Sequence, residues 1–169
     1  MSEPQADAAV VVRTARPDEY DLIGRLTVEV YVGGGLIAPD SAYVATLGDA
    51  ADRAAKATLL VAEVAGEVVG AVAYSPAGGP YANLAEPGEA EFRMLAVHPQ
   101  ARGNGAGTAL VRACLDRARD AGCRAMRLST QHNMQTAHRM YERFGFTRTP
   151  GRDWAPVPGV DLITYAFVF

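Results

Sequence analysis

Between Gln100 and Gly107 the chain reads Q-A-R-G-N-G-A-G. Gly103, Gly105 and Gly107 let the backbone approach a ligand without Cβ clash. Arg102 adds charge-assisted donors. The stretch joins a strand that stops at Pro99 to a helix that begins near Gly105. Such a junction aims backbone N–H groups and the positive end of a helix dipole at one point, which is a place to hold phosphate. Two familiar phosphate motifs do not fit. A dinucleotide fingerprint needs G-x-G-x-x-G, but position 108 is Thr. A P-loop needs a lysine after its last glycine, and none stands nearby. What remains is Q-x-x-G-x-G-x-G at a strand-to-helix turn.

The elements that must carry this turn follow from punctuation and period. Val10–Thr14 is a short β-branched strand. Pro17, Asp18 and Glu19 open a helix with Leu22, Ile23, Leu26 and Val30 on one face, and Gly33-Gly34-Gly35 ends it. Pro39 starts a second helical segment running to about Lys56. Thr58–Ala65 and Val68–Ser75 form a hairpin about Gly66-Glu67. Val68–Ala73 is apolar on both faces, which predicts a central strand, and Gly70 within it marks a close backbone approach. Strands follow at Glu89–Val97, Arg124–Thr130, from Phe146 and at Ile163–Phe169. Helices follow at Gly105–Ala121 and Asn133–Phe144. The segments 76–88 and 150–159, the latter holding Trp154, read as loops. The strand, helix and strand around the glycine turn form a β-α-β unit, so those two strands are parallel. The rest is mostly antiparallel, an α/β (α+β) sheet with helices on both faces.

Composition bounds the function. The chain has 169 residues, with 49% hydrophobic and 21% charged, so it reads as one globular domain over 10–169 behind a flexible tail at 1–9. A net charge of -3 argues against general nucleic-acid binding, which needs a basic face. No secretory leader is visible at Met1–Ala9. The apolar run Leu59–Tyr74 is broken by Glu63, Gly66 and Glu67, so no membrane span is expected. Cys114 and Cys123 sit in no metal-like or C-x-x-C pattern and read as buried thiols of a cytoplasmic protein.

The turn, following L-A-V-H-P, resembles the cofactor motif of the GNAT superfamily of N-acetyltransferases. The downstream Asn133…Ala137…Tyr141-Glu142-Arg143-Phe144-Gly145-Phe146 resembles that family's second motif, at the expected distance. The element order agrees from Val10 to Phe169. The resemblance implies a mixed, mostly antiparallel sheet of about seven strands with a splayed parallel pair. It implies acetyl-CoA as co-substrate, no metal, and an amine acceptor. The pyrophosphate-binding backbone then falls on Arg102, Gly103, Asn104, Gly105, Ala106 and Gly107, with Gln100 opening the motif and Thr108 in the first helical turn. The pantetheine arm pairs with the backbone at Leu95, Ala96 and Val97, where an N–H near Leu95 holds the thioester oxygen. Asn133 meets the cofactor, caps the helix, or does both.

Amide formation needs a neutral amine. A free amine of pKa near 10.4 is neutral in about one molecule in 2,500 at pH 7, a cost of roughly 4–5 kcal/mol. A general base, acting directly or through water, meets that cost. The resemblance assigns this to Glu91, with Glu89 as the nearest substitute on the same face and His98 more suited to the turn. Two-residue alternation puts Leu95 and Val97 on the face of Glu91. The departing thiolate needs about 2 kcal/mol of help, and the resemblance assigns the acid to Tyr141. Neither cysteine suits an acetyl-enzyme, so transfer is direct. A non-catalytic acetyl-CoA sensor is the alternative, and a nucleotide binder using the same turn is another. The acceptor is a small-molecule or peptide amine, left unspecified by the early helices, the 76–88 loop and the Trp154 loop. Glu29, Asp40, Glu86 and Asp153 are acids available there. An apolar closing strand, Ile163–Phe169, offers an edge for a homodimer.

Overall fold

The structure, a computed structural model, describes residues 9–169; the tail expected at Met1–Ala9 lies, apart from Ala9, outside the described residues. The strands are β1 (Val10–Thr14), β2 (Thr58–Val64), β3 (Glu67–Pro76), β4 (Glu89–Val97), β5 (Ala125–Gln131), β6 (Thr147–Arg148), β7 (Trp154–Val157) and β8 (Val160–Val168). The helices are α1 (Tyr20–Val28), α2 (Tyr43–Gly48), α3 (Ala50–Lys56), α4 (Ala106–Asp120) and α5 (Gln135–Phe144), with a π-helical turn at Glu29–Gly33 that prolongs α1. The strands form one sheet in the order β1-β2-β3-β4-β5-β8-β6, with β7 also paired to β8. Among the described residues only β4 and β5 run parallel. Among the described residues no helix is long and apolar enough to cross a membrane.

The mixed sheet matches the expected class, and β3 is central, between β2 and β4. Three details differ. The segment 39–56 is two helices, because Asp49 leaves helical geometry and its carboxylate accepts from the Asp52 N–H to cap α3. The loop expected around Trp154 contains a strand, β7, which Pro150, Pro156 and Pro158 disguise in the sequence. The closing strand is no edge: β5 pairs along one side of β8, and β6 and β7 pair along the other. The reason given for a homodimer therefore falls away.

Helices cover both faces. On one, Leu110, Val111 and Cys114 of α4 and Tyr141 of α5 pack with Leu60, Val72, Phe92 and Leu128. Leu110 is fully buried, and truncating it to Ala would cost about 2–5 kcal/mol. On the other, Leu26, Val30 and Tyr31 pack with Met94, Ala96 and Leu162. Gly70 bears out its expected role: a Cβ there would stand 3.0 Å from the Ala96 carbonyl oxygen and 3.2 Å from Leu110.

One irregularity governs the site. Ala71 pairs with Ala96 and Ala73 with Arg93, so Val72 alone faces Met94 and Leu95. Met94 adopts φ of +57° to make this bulge. An extra residue reverses the alternation downstream. Phe92 and Leu95 therefore pack on the α4 face, whereas Met94 and Ala96 pack on the α1 face. The expectation that Leu95 and Val97 share the face of Glu91 is corrected: strict period two does not survive a bulge.

Candidate active site

The glycine turn does what its composition demands. Gly103 and Gly105 take φ of +94° and +80°, and Gly105 is the N-cap of α4 with no side chain capping it. The N–H groups of the first helical turn lack intrahelical partners and point into open space. A Cβ on Gly103 or Gly105 would meet nothing within 4 Å, so conformation rather than crowding requires glycine there. His98 serves the turn, its Nδ1 accepting from the Gln100 N–H at 3.2 Å.

A cleft of about 590 Å³ opens in front of that turn, within the usual size of small-molecule sites. Leu95, Val97, Arg102, Gly103, Gly105, Ala106, Gly107, Thr108 and Asn133 line it. Gln100 and Asn104 lie exposed on the turn outside that lining. Ala96 packs on the α1 face and offers only its backbone. Asn133 does not cap α5: the helix begins at Gln135 behind Met134, with no side-chain cap. The sequence reading missed Val30 and Leu36 from the early segment and Met134, Met140 and Arg143 from around α5. Ala137, Met140 and Phe144 recur at helical spacing and were the available clue. Among the described residues the lining carries two cations, Arg102 and Arg143, and no carboxylate. A basic, amide-rich end and an apolar shaft fit the pyrophosphate and pantetheine of coenzyme A.

The parallel strands part where they should. β4–β5 pairing ends at Phe92 opposite Leu128, although both strands continue. In the gap, the Tyr31 hydroxyl donates to the Leu95 carbonyl at 3.1 Å.

Glu91 is fully buried. Its Oε1 accepts from the N–H of Leu84 and of Ala85, at 2.6 and 3.0 Å, and its Oε2 has no partner among the described residues. Burial pushes its carboxyl above the ordinary range, against the pull of those N–H groups. Glu89 is committed elsewhere: Arg127 lies 3.1 Å away and Arg124 3.4 Å. Burial, the largest single influence, raises its carboxyl, but the Arg127 bonds, the Glu86 N–H and the charges of Arg127 and Arg124 together outweigh it and hold the group below the usual value. Tyr141 is 2% exposed among Phe92, Phe146 and Tyr165, whose ring centroids lie 5.9–6.0 Å away. Burial drives its phenol far up, so it stays protonated at neutral pH. Neither Glu91 nor Tyr141 lines the cleft itself.

The α1 face of the gap holds a second, smaller cavity bounded by Tyr31, Tyr43, Arg93, Met94, Ser129 and Gln131. Sequence reading named none of these. Of the acids proposed for the acceptor side, Glu86 lies 3.6 Å from both Arg124 and Arg152, and Asp153 is bonded to Arg148 at 2.9 Å. They neutralise neighbours rather than form an attracting field. Cys114 and Cys123 are free and outside both cavities.

Comparison with known proteins agrees with this geometry. An uncharacterised N-acetyltransferase of Schizosaccharomyces pombe is 34% identical over 95 residues, which cover 56% of this chain and 54% of that one. The match thus spans about half the length of that curated relative. A GNAT family acetyltransferase of Brucella melitensis, solved in complex with acetyl-CoA, superposes with a TM-score of 0.63 at 27% identity over 96% of this chain and 89% of that one. A GNAT acetyltransferase of Staphylococcus aureus superposes at 0.74 with 13% identity over 95% and 99%, a likeness of fold. The profile of the acetyltransferase (GNAT) family matches residues 25–146, most of the chain, and the protein belongs to that family.

Proposed function

We propose that the protein is an N-acetyltransferase that moves an acetyl group directly from acetyl-CoA to a primary amine. The observation that carries this reading is the β4 bulge. It turns Leu95 into the wall of the large cleft and Met94 into the wall of the small cavity, so two ligands can meet across one strand. Backbone N–H groups of Gly103, Gly105, Ala106 and Gly107, with Arg102 and Arg143, hold the pyrophosphate end. The Leu95–Val97 backbone holds the pantetheine arm, which matches the stretch of β4 that β5 does not pair. When bound, acetyl-CoA supplies an activated acyl carbon and a thiol leaving group. Glu91 takes the amine proton, through water, at its unpartnered Oε2. Its raised pKa brings it closer to neutrality and makes it a stronger base than a solvated carboxylate. Tyr141, held protonated by burial, gives its proton to sulfur. The N–C bond forms as the C–S bond breaks, and no cysteine intervenes. The absence of a sheet edge at β8 leaves no argument for a dimer, and two free cysteines suit a cytoplasmic setting.

The test is release of free CoA thiol from acetyl-CoA with a panel of primary amines, with acetylated product identified by mass spectrometry. Thiol release that requires the amine is expected. Stabilisation by acetyl-CoA with no acetylation of any amine would select the sensor reading. Stabilisation by ATP or NAD but not CoA would overturn the cleft assignment.

A further inference from the structure

Arg93 stands two residues after Glu91 on the same face of β4, and it is only 7% exposed. A buried charge is costly unless it is paired, and Arg127, one strand away, is paired with Glu89. Arg93 is not: among the described residues no carboxylate stands within ion-pair distance of it. Its guanidinium gives Nη1 to Asn83 Oδ1 at 3.1 Å and Nη2 to the Tyr43 hydroxyl at 2.9 Å, both neutral acceptors. Two of its five N–H groups are thereby used. The Trp154 ring lies 5.0 Å from its Cζ and fixes the plane of the fork. Trp154 is itself oriented by donating Nε1–H to Ser129 Oγ at 2.8 Å.

The same cavity holds a second unspent donor. Gln131 is buried and its Nε2 has no partner among the described residues. Ser129 to Gln131 belong to the part of β5 that β4 has already left, and Arg93 and Gln131 both line the cavity that opens there. The cavity measures about 10 Å³, room for one water-sized group. It therefore accepts an oxygen-sized head and leaves the rest of the acceptor outside. On the same face of β4, Glu91 Oε2 is a buried acceptor without a partner among the described residues. Consecutive same-face residues of a strand lie about 6–7 Å apart, so one small molecule can reach both side chains at once.

We infer that the amine acetylated here carries a carboxylate close to its nitrogen, in the manner of an amino acid, and that Arg93 with Gln131 receives the carboxylate while Glu91 serves the amine. This rests on the acetyl-transfer reading above. A bare guanidinium beside the amine disfavours a polyamine or a lysine side chain, whose extra positive charge has no partner here. A compact carboxylate matches the size of the cavity better than a phosphate does.

The experiment uses matched acceptors: an amino acid, its carboxamide and its decarboxylated amine, assayed by CoA thiol release. The amino acid is expected to exceed both partners in kcat/KM by about 100-fold, as in other sites whose buried donors go unpaired with the wrong substrate. The amide has the more acidic ammonium, so the intrinsic bias runs against this result. Arg93→Gln is expected to erase the preference by raising KM for the amino acid far more than KM for the amide, with the affinity for acetyl-CoA kept. Arg93→Lys should restore it in part, since charge is kept but the fork is lost. If Arg93→Gln does not fold, Gln131→Leu removes the facing donor alone and should narrow the preference. A readout free of turnover is the melting temperature: the N-acetyl amino acid should raise it, and the N-acetyl amide should not. Equal or better turnover of the amide by the wild-type protein overturns the inference while leaving acetyl transfer intact. Thiol release with no amine at all overturns both.

Discussion

The two sides of strand β4 are built on different principles. The cleft before α4 binds with backbone: positive-φ glycines, an uncapped helix start and two rim arginines. The cavity on the α1 face is made of side chains: a stacked Arg93, two tyrosines and Gln131, brought from two strands and two helical segments. A backbone cradle suits a ligand shared by a whole family, because it is indifferent to most substitutions outside the glycines. A side-chain cavity suits a ligand peculiar to one member. The bulge at Met94 is the hinge between them, sending one residue each way.

Perturbing each side should separate the two. The largest effect is expected from Glu91→Gln, a loss in kcat/KM of about 100-fold or more at pH 7, set by the amine's deprotonation cost. The deficit should shrink towards pH 10 as the amine deprotonates itself. In the wild type, activity should rise with pH through a limb lying above the ordinary glutamate range, and the variant should lack it. The stability sign is opposite. Burial raises the folded pKa of Glu91, so its contribution is full below the unfolded value and is lost as pH climbs through the folded one. Glu91→Gln keeps the oxygen that Leu84 and Ala85 N–H groups need, and thermal melts at pH 7 should show equal or greater stability. A lower melting point there would contradict the buried-charge account.

Tyr141→Phe comes next, with turnover lowered about 30-fold, the size of the thiolate penalty at pH 7. The affinity for acetyl-CoA should stay within about twofold, since Tyr141 is not in the cleft wall. An unchanged rate would remove it from the chemistry. On the other side of β4, Gly105→Val forces a β-branched residue to φ of +80°. It should weaken acetyl-CoA binding about tenfold by calorimetry, with little change in discrimination between amines. Arg102→Ala, at an exposed rim, should raise the KM for acetyl-CoA about threefold at low salt, an effect that fades as ionic strength rises.

This contrast also explains what could be read in advance. The glycine turn was legible because φ above zero and close approach leave few alternatives to glycine, and Gly70 was legible for the same reason. The parallel β4–β5 pair followed from the helix between them. The bulge was not legible: nothing in R-M-L-A-V marks Met94 as the residue of positive φ, so alternation carried Leu95 to the wrong face. Arg93 escaped notice and Trp154 was noted only for its loop, because the two are distant in sequence and meet only through the fold. The dimer argument failed because the short β6 and the proline-rich β7 covered an edge that β8 alone would expose.

The central claim is that both ligands sit on β4 at once and the acyl group crosses directly between them. Initial rates with acetyl-CoA and the amine both varied test it most directly. Lines that intersect in the double-reciprocal plot are expected, since both substrates must be bound before the C–S bond breaks. Parallel lines, the mark of an acetyl-enzyme formed before the amine arrives, would contradict it.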